Sequence, residues 1–114
     1  SPNGTAELEP VRAVKLRRMI AATILYPNNE GSKFDLDYYT NTHMPMFAER
    51  LGEACQSWGV IDTHGQQYHA IGWAVISSQE ALNAALTEHG AEITGDVANY
   101  TDVAPTFVVG DVVK

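Results

Sequence analysis

The 114-residue chain has a single cysteine, Cys55, and so no partner for an internal disulfide. A disulfide framework is therefore excluded, and the chain suits a reducing, cytoplasmic setting. Cys55 lacks a CxxC neighbour and reads as a passive thiol. No run approaches the ~18 apolar residues of a membrane span. Cations are scarce, seven Lys and Arg against fourteen Asp and Glu, for a net charge of −7. Arg12, Lys15, Arg17 and Arg18 crowd the first 18 residues, which carry +2, so the rest carries −9 with only Lys33, Arg50 and Lys114 positive. So acidic a surface repels phosphate backbones and anionic membranes, so neither nucleic acid nor membrane is an expected partner. G-x-G-x-x-G, P-loop and G-x-S-x-G motifs are all missing, which argues against hydride transfer, phosphoryl transfer and a serine hydrolase.

What is present is enough for one domain. "SPNGTAELEPVRAVKLRR" (residues 1–18) differs in composition from the remainder, with Met19 as a plausible native start. Two readings stand, an expression leader or an extension whose "VRAVKL" adds an edge strand. Residues 19–114 form the domain. "MIAATILYP" reads as a strand, and "FDLDYYTNTHMPMFAERLG" as a helix capped by Asp35 or Asp37 and stopped at Gly52. "SWGVIDT" and "YHAIGWAVIS" are the next strands, joined by a turn at "HGQQ". "SSQEALNAALTEHG" is a helix with Ser77-x-x-Glu80 as capping box and Gly90 as its C-terminal glycine. "AEITGDVANYTDVAP" is irregular, and "TFVVGDVV" is the last strand. The order β-α-β-β-α-β predicts an α+β, ferredoxin-like protomer with a four-stranded antiparallel sheet and both helices on one face.

The strands are apolar on both faces. His69, Ile71, Trp73 and Val75 point one way, and Ala70, Gly72, Ala74 and Ile76 the other. Helices cover one face only, so the second predicts a homodimer, two sheets facing each other in an α+β barrel with helices outside.

Chemistry concentrates on the first helix. His43 is four residues from both Tyr39 and Phe47 and shares their apolar stripe, facing the sheet. Pro45 cannot donate to the Asn41 carbonyl and should bend or open the helix beside His43. A hydrogen-bonded core histidine with a tolerated kink is the competing reading. His89 occupies the matching stripe of the second helix, either as pocket residue or as a cation-capable helix end. His69 sits on a strand face and His64 in a solvated turn. The four histidines are spaced 21, 5 and 20 apart, which gives no metal-ligand pattern, so no metal and no nucleotide cofactor is expected. What remains is an apolar cavity between helices and sheet, with His43 and tyrosines as polar groups and Trp58 or Trp73 as wall, suited to a small apolar or aromatic ligand. An imidazole with pKa near ~6.5 matches acid/base chemistry such as enolisation, dehydration, decarboxylation or ring closure.

The stretches F-D-x-D-Y-Y-x-x-x-H-x-P (from Phe34) and H-G-x-E-I-x-G-D-x-x-N-Y-T (from His89) resemble the EthD-like family of dimeric α+β barrel proteins, the likeness covering nearly all of Met19–Val113. The resemblance implies a ferredoxin-like protomer and a homodimeric barrel. It implies a link to ethyl tert-butyl ether degradation, and kinship with cofactor-free monooxygenases, isomerases and polyketide cyclases. By that analogy His43 is the family's H-x-P histidine, and Tyr38 and Tyr39 its preceding tyrosines. The resulting expectation is an enzyme without metal or nucleotide, with His43 as general acid/base and Tyr39 orienting it or binding a substrate carbonyl. Tyr38, Trp58, His69, Trp73, His89 and Tyr100 would shape the substrate pocket. A non-catalytic binding or accessory protein and a cofactor-free monooxygenase are the alternatives.

Overall fold

In the computed structural model the described residues are 18–114. The reading of the N-terminal segment as leader or extension therefore falls, up to residue 17, outside the described residues. β1 spans Ile20–Pro27, β2 Cys55–Asp62, β3 Tyr68–Ile76 and β4 Thr106–Asp111. They form one sheet in the order β2-β3-β1-β4, with all three pairings antiparallel. Between β1 and β2 lies α1, a helical turn at Leu36–Tyr38, a π-helical stretch at Tyr39–His43 and an α-helix at Met44–Leu51. Between β3 and β4 lies α2, Gln79–Asp96, continued by a 3-10 turn at Val97–Asn99. This is the ferredoxin-like α+β arrangement that the element order predicts.

The period-2 strands sort cleanly. Ile20, Ala22, Ile24 and Tyr26 of β1 are buried, as are Ala70, Ala74 and Ile76 of β3, and these carry the core against Tyr39, Met44, Phe47, Leu51 and Leu82 of the helices. The opposite face holds Leu25, Ile71, Trp73, Val75, Ile61 and Val108, paired by register across the strands. Among the described residues no helix covers it, and Ile61 and Val108 are 47% and 53% exposed. Trp73 lies flat over Gly59, where a Cβ would stand 2.6 Å from its ring.

Asp35 is the cap of α1, its carboxylate accepting the Tyr38 N–H at 3.0 Å. The helix ends at Gly52, whose φ of 62° only glycine adopts freely. Two expectations for α2 need correcting. Its cap is Ser78 rather than Ser77, the hydroxyl accepting the Ala81 N–H at 3.1 Å. And the helix does not stop at Gly90 but runs on to Asp96. Glycine inside a helix costs only about 0.5–1 kcal/mol, and the half-buried Ile93 and Val97, packed against the core, keep the next turns helical. The segment expected to be irregular from Ala91 onward therefore carries the last turns of α2, through Asp96.

Candidate functional site

Pro45 has no N–H to give the Asn41 carbonyl, and the backbone answers by widening. The Met44 N–H bonds to the carbonyl of Tyr39, five residues back. Such π-helical insertions are uncommon in α-helices and concentrate at functional sites. The opening expected beside His43 is thus a π-turn. Asn41 itself is exposed and does not line the cavity described below.

His43 is 4% exposed and held from several sides. The Tyr39 ring stacks on it at 5.6 Å between centroids and 17° between planes, and the Tyr100 ring tilts against it at 4.6 Å. Its Nδ1 lies 2.9 Å from a carboxylate oxygen of Asp96, the last residue of α2. The other Asp96 oxygen accepts from the Tyr38 hydroxyl at 2.7 Å and from the Asn99 amide at 2.9 Å. Burial alone would raise the Asp96 pKa, but the hydrogen bonds from Tyr38, His43 and Asn99 outweigh it and hold the carboxyl below its ordinary value. For His43, burial lowers the pKa and the Asp96 carboxylate opposes it, with burial winning. At neutral pH the pair is therefore a carboxylate and a neutral imidazole, and an acceptor at Nδ1 places the ring proton there. Nε2 is left as a lone pair with no hydrogen-bond partner among the described residues.

His43 also lines a cavity of about 680 Å³ between the helices, the sheet and the segment leading into β4. Ile24, Phe47, Leu86, Ile93, Val97 and Phe107 make most of its wall, which is strongly apolar. Tyr26, Thr94, Thr101 and Asp102 supply the remaining polar side chains, and no Lys or Arg lines it among the described residues. That volume suits a small molecule. An imidazole with a free Nε2 in such a wall can take a proton from a ligand and return it.

The other residues expected at the site divide. Tyr38, Tyr39 and Tyr100 surround the His43–Asp96 pair. The Tyr39 hydroxyl, however, points at the sheet rather than the cavity: it is fully buried against Gly72, with the Tyr26 hydroxyl in its neighbourhood but no partner at hydrogen-bond distance among the described residues. Trp58, Trp73, His69 and His89 do not line the cavity. Trp58 is exposed at the outer strand, and Trp73 is on the uncovered face. His69 stacks on Phe34, its Nε2 2.7 Å from the Ser32 hydroxyl. Ser32 already donates its proton to the Asn29 carbonyl at 2.6 Å, so His69 is the donor and Ser32 is no activated nucleophile. His89 lies beside Glu88 and Glu92, at 3.7 and 4.0 Å, near the Arg50–Glu92 ion pair. His64 is exposed in its turn. Burial pushes the Cys55 thiol up, away from reactivity. Among the described residues no cluster of three His, Cys, Asp or Glu stands ready for a metal, and no helix is long and apolar enough to cross a membrane. Sequence reasoning missed Asp96, Asn99 and Tyr26. Asp96 and Asn99 lie inside G-D-x-x-N-Y, but a helix ended at Gly90 gave them no fixed direction.

Comparison with solved structures supplies the family. An EthD-like protein from Ralstonia eutropha JMP134 is 39% identical, with a TM-score of 0.77, over 86% of this chain and 95% of that one. The chain belongs to the EthD-like family. An ethyl tert-butyl ether degradation (EthD) family protein from Bacillus halodurans C-125 is 19% identical, with a TM-score of 0.60 over 82% and 98% of the two chains, and shares the fold. A scan against protein-family models finds no match, and neither does a search of the curated proteins. In this EthD-like chain both quoted motifs meet at one place: H-x-P supplies His43, and G-D-x-x-N-Y supplies Asp96, Asn99 and Tyr100.

Proposed function

We propose that this EthD-like protein is an acid/base catalyst for a small apolar molecule, with His43 as the proton-transferring group. One observation carries the reading: His43 gives Nδ1 to the Asp96 carboxylate and, among the described residues, keeps Nε2 unpartnered, in the wall of an apolar cavity. Nε2 accepts a proton from a carbon next to the ligand's carbonyl, the C–H pair of electrons moves into the carbon–carbon bond, and the oxygen gains the negative charge. The imidazolium formed is stabilised by Asp96, which Tyr38 and Asn99 hold in place. The same proton then returns to carbon or oxygen. Isomerisation and dehydration both begin with this transfer.

The test needs no natural substrate. 2-Tetralone fits the cavity and has exchangeable protons beside its carbonyl, so their replacement by deuterium in D₂O can be followed by NMR. The protein should accelerate the exchange, and His43→Gln should lose about 10²–10⁴-fold. Equal rates for the two proteins would remove His43 from the chemistry. The strongly apolar lining also favours a second reading, a binding protein that delivers its ligand to an oxidative partner. Tight 2-tetralone binding without exchange would select it.

We further propose that the protein works as a homodimer joined through the uncovered sheet face, which the six apolar side chains there support. Sedimentation should give the dimer mass, falling to monomer or precipitate in Trp73→Asp. A monomeric parent protein would contradict it.

A further inference from the structure

β1 brings a second polar residue to the cavity. Tyr26 stands two residues beyond Ile24 on the same strand face, and both line the wall. Its hydroxyl is 2.5 Å from that of Tyr100, and both residues are buried. Two phenols joined by one hydrogen bond use one of their two protons, and the other must be directed elsewhere. Burial raises the pKa of both, so both keep their protons at neutral pH. Tyr100 does not line the cavity, whereas Tyr26 does. We infer that Tyr100 donates to Tyr26 and that Tyr26 directs its own proton into the cavity, onto an oxygen of the ligand. The ligand is then an uncharged, mostly hydrocarbon molecule with a carbonyl oxygen. An anion is disfavoured, because the cavity offers Asp102 and no cation among the described residues.

This assignment rests on the acid/base reading above and gives it its second half. Tyr26 holds the oxygen that gains charge while His43 takes the proton from carbon. It also departs from the expectation that Tyr39 would bind the carbonyl, since the Tyr39 hydroxyl is sealed against Gly72.

The experiment compares 2-tetralone with tetralin, the same skeleton without the oxygen, by calorimetry at pH 8. One neutral hydrogen bond should give the ketone about tenfold tighter binding to the parent protein. Tyr26→Phe should cancel that preference by weakening the ketone alone, while His89→Ala, outside the cavity, keeps it. A preference that survives in Tyr26→Phe overturns the assignment and leaves the His43 exchange chemistry standing. Equal binding of ketone and hydrocarbon to the parent protein also overturns it, whatever the exchange rate shows. If Tyr26→Phe does not fold, the infrared carbonyl band of 2-tetralone bound to the parent protein replaces it. A band shifted down from its hydrocarbon-solvent position, and still shifted in Thr94→Val, supports Tyr26, because neutral His43 has no proton at Nε2 to give and the Thr101 hydroxyl already donates to the Lys33 carbonyl. An unshifted band overturns it.

Discussion

The sequence pattern puts a histidine on the apolar stripe of both α1 and α2, and the two fare differently. His43 lies where the π-turn opens α1 and the last residue of α2 crosses it, so an acid from another element meets its Nδ1 in a buried setting. His89 lies mid-helix, and the acids near it, Glu88 and Glu92, are its own exposed neighbours. Arg50 already engages Glu92 through two nitrogens at 2.8 Å. The lesson concerns the partner rather than the stripe. A histidine becomes a poised base when burial strips its charge and a fixed acceptor sets its tautomer.

The largest expected effect is the loss of 10²–10⁴-fold in 2-tetralone exchange for His43→Gln, against no change for His89→Ala. Equal losses in the two would erase the contrast. Next is Asp96→Asn, for which about 10²-fold loss is expected, because an amide can donate to Nδ1 and force the wrong tautomer. Removing the carboxylate also takes away what raises the His43 pKa, so the acid limb of the rate profile should move to lower pH. Gly72→Ala comes third. Its Cβ would collide with the Tyr39 hydroxyl, which must move and take the ring stacked on His43 with it. A loss of about 1–3 kcal/mol in denaturant unfolding is expected. Tyr39→Phe should do the reverse, staying neutral or gaining stability, because an unpaired buried hydroxyl is removed. A destabilised Tyr39→Phe would mean that the hydroxyl has a partner after all.

The smallest effect is on stability against pH. The folded state holds the His43 pKa below its ordinary value, so the unfolded chain binds more protons in the window beneath ~6.5. The contribution of neutral His43 is present above that pH and is lost as pH falls through the folded pKa. Thermal melts of the parent protein and His43→Gln should converge in that direction.

Much of this was legible in residue pattern. Alternation in β1 and β3 sorts each strand into two faces, but both are apolar, so the pattern alone does not say which one the helices cover; Pro45 inside an amphipathic helix announces a backbone irregularity at His43. The end of α2 was hidden by Gly90, which looks like a stop and is in fact a tolerated helical residue. With the helix ended there, Asp96 has no defined direction, and a base cannot be matched to its acid. Tyr26 was hidden for another reason. Its place at the end of an apolar strand is what a core tyrosine shows, and only the tertiary arrangement brings Tyr100 to its hydroxyl and a cavity to its ring. Trp58 and Trp73 illustrate the opposite error, since large aromatics suggest a pocket wall: Trp73 lies on the uncovered face, and Trp58, opposite Ala74, sits at the exposed edge strand away from the cavity.

The central claim is that His43 is a neutral base with its proton fixed on Nδ1 and its lone pair turned to the cavity. Nitrogen-15 NMR of the His43 ring at pH 7.5, with and without 2-tetralone, tests it most directly. Nδ1 should show the protonated shift and Nε2 the unprotonated one, and Nε2 alone should respond to the ketone. A proton on Nε2, a charged ring, or an Nε2 indifferent to the ketone would contradict the account.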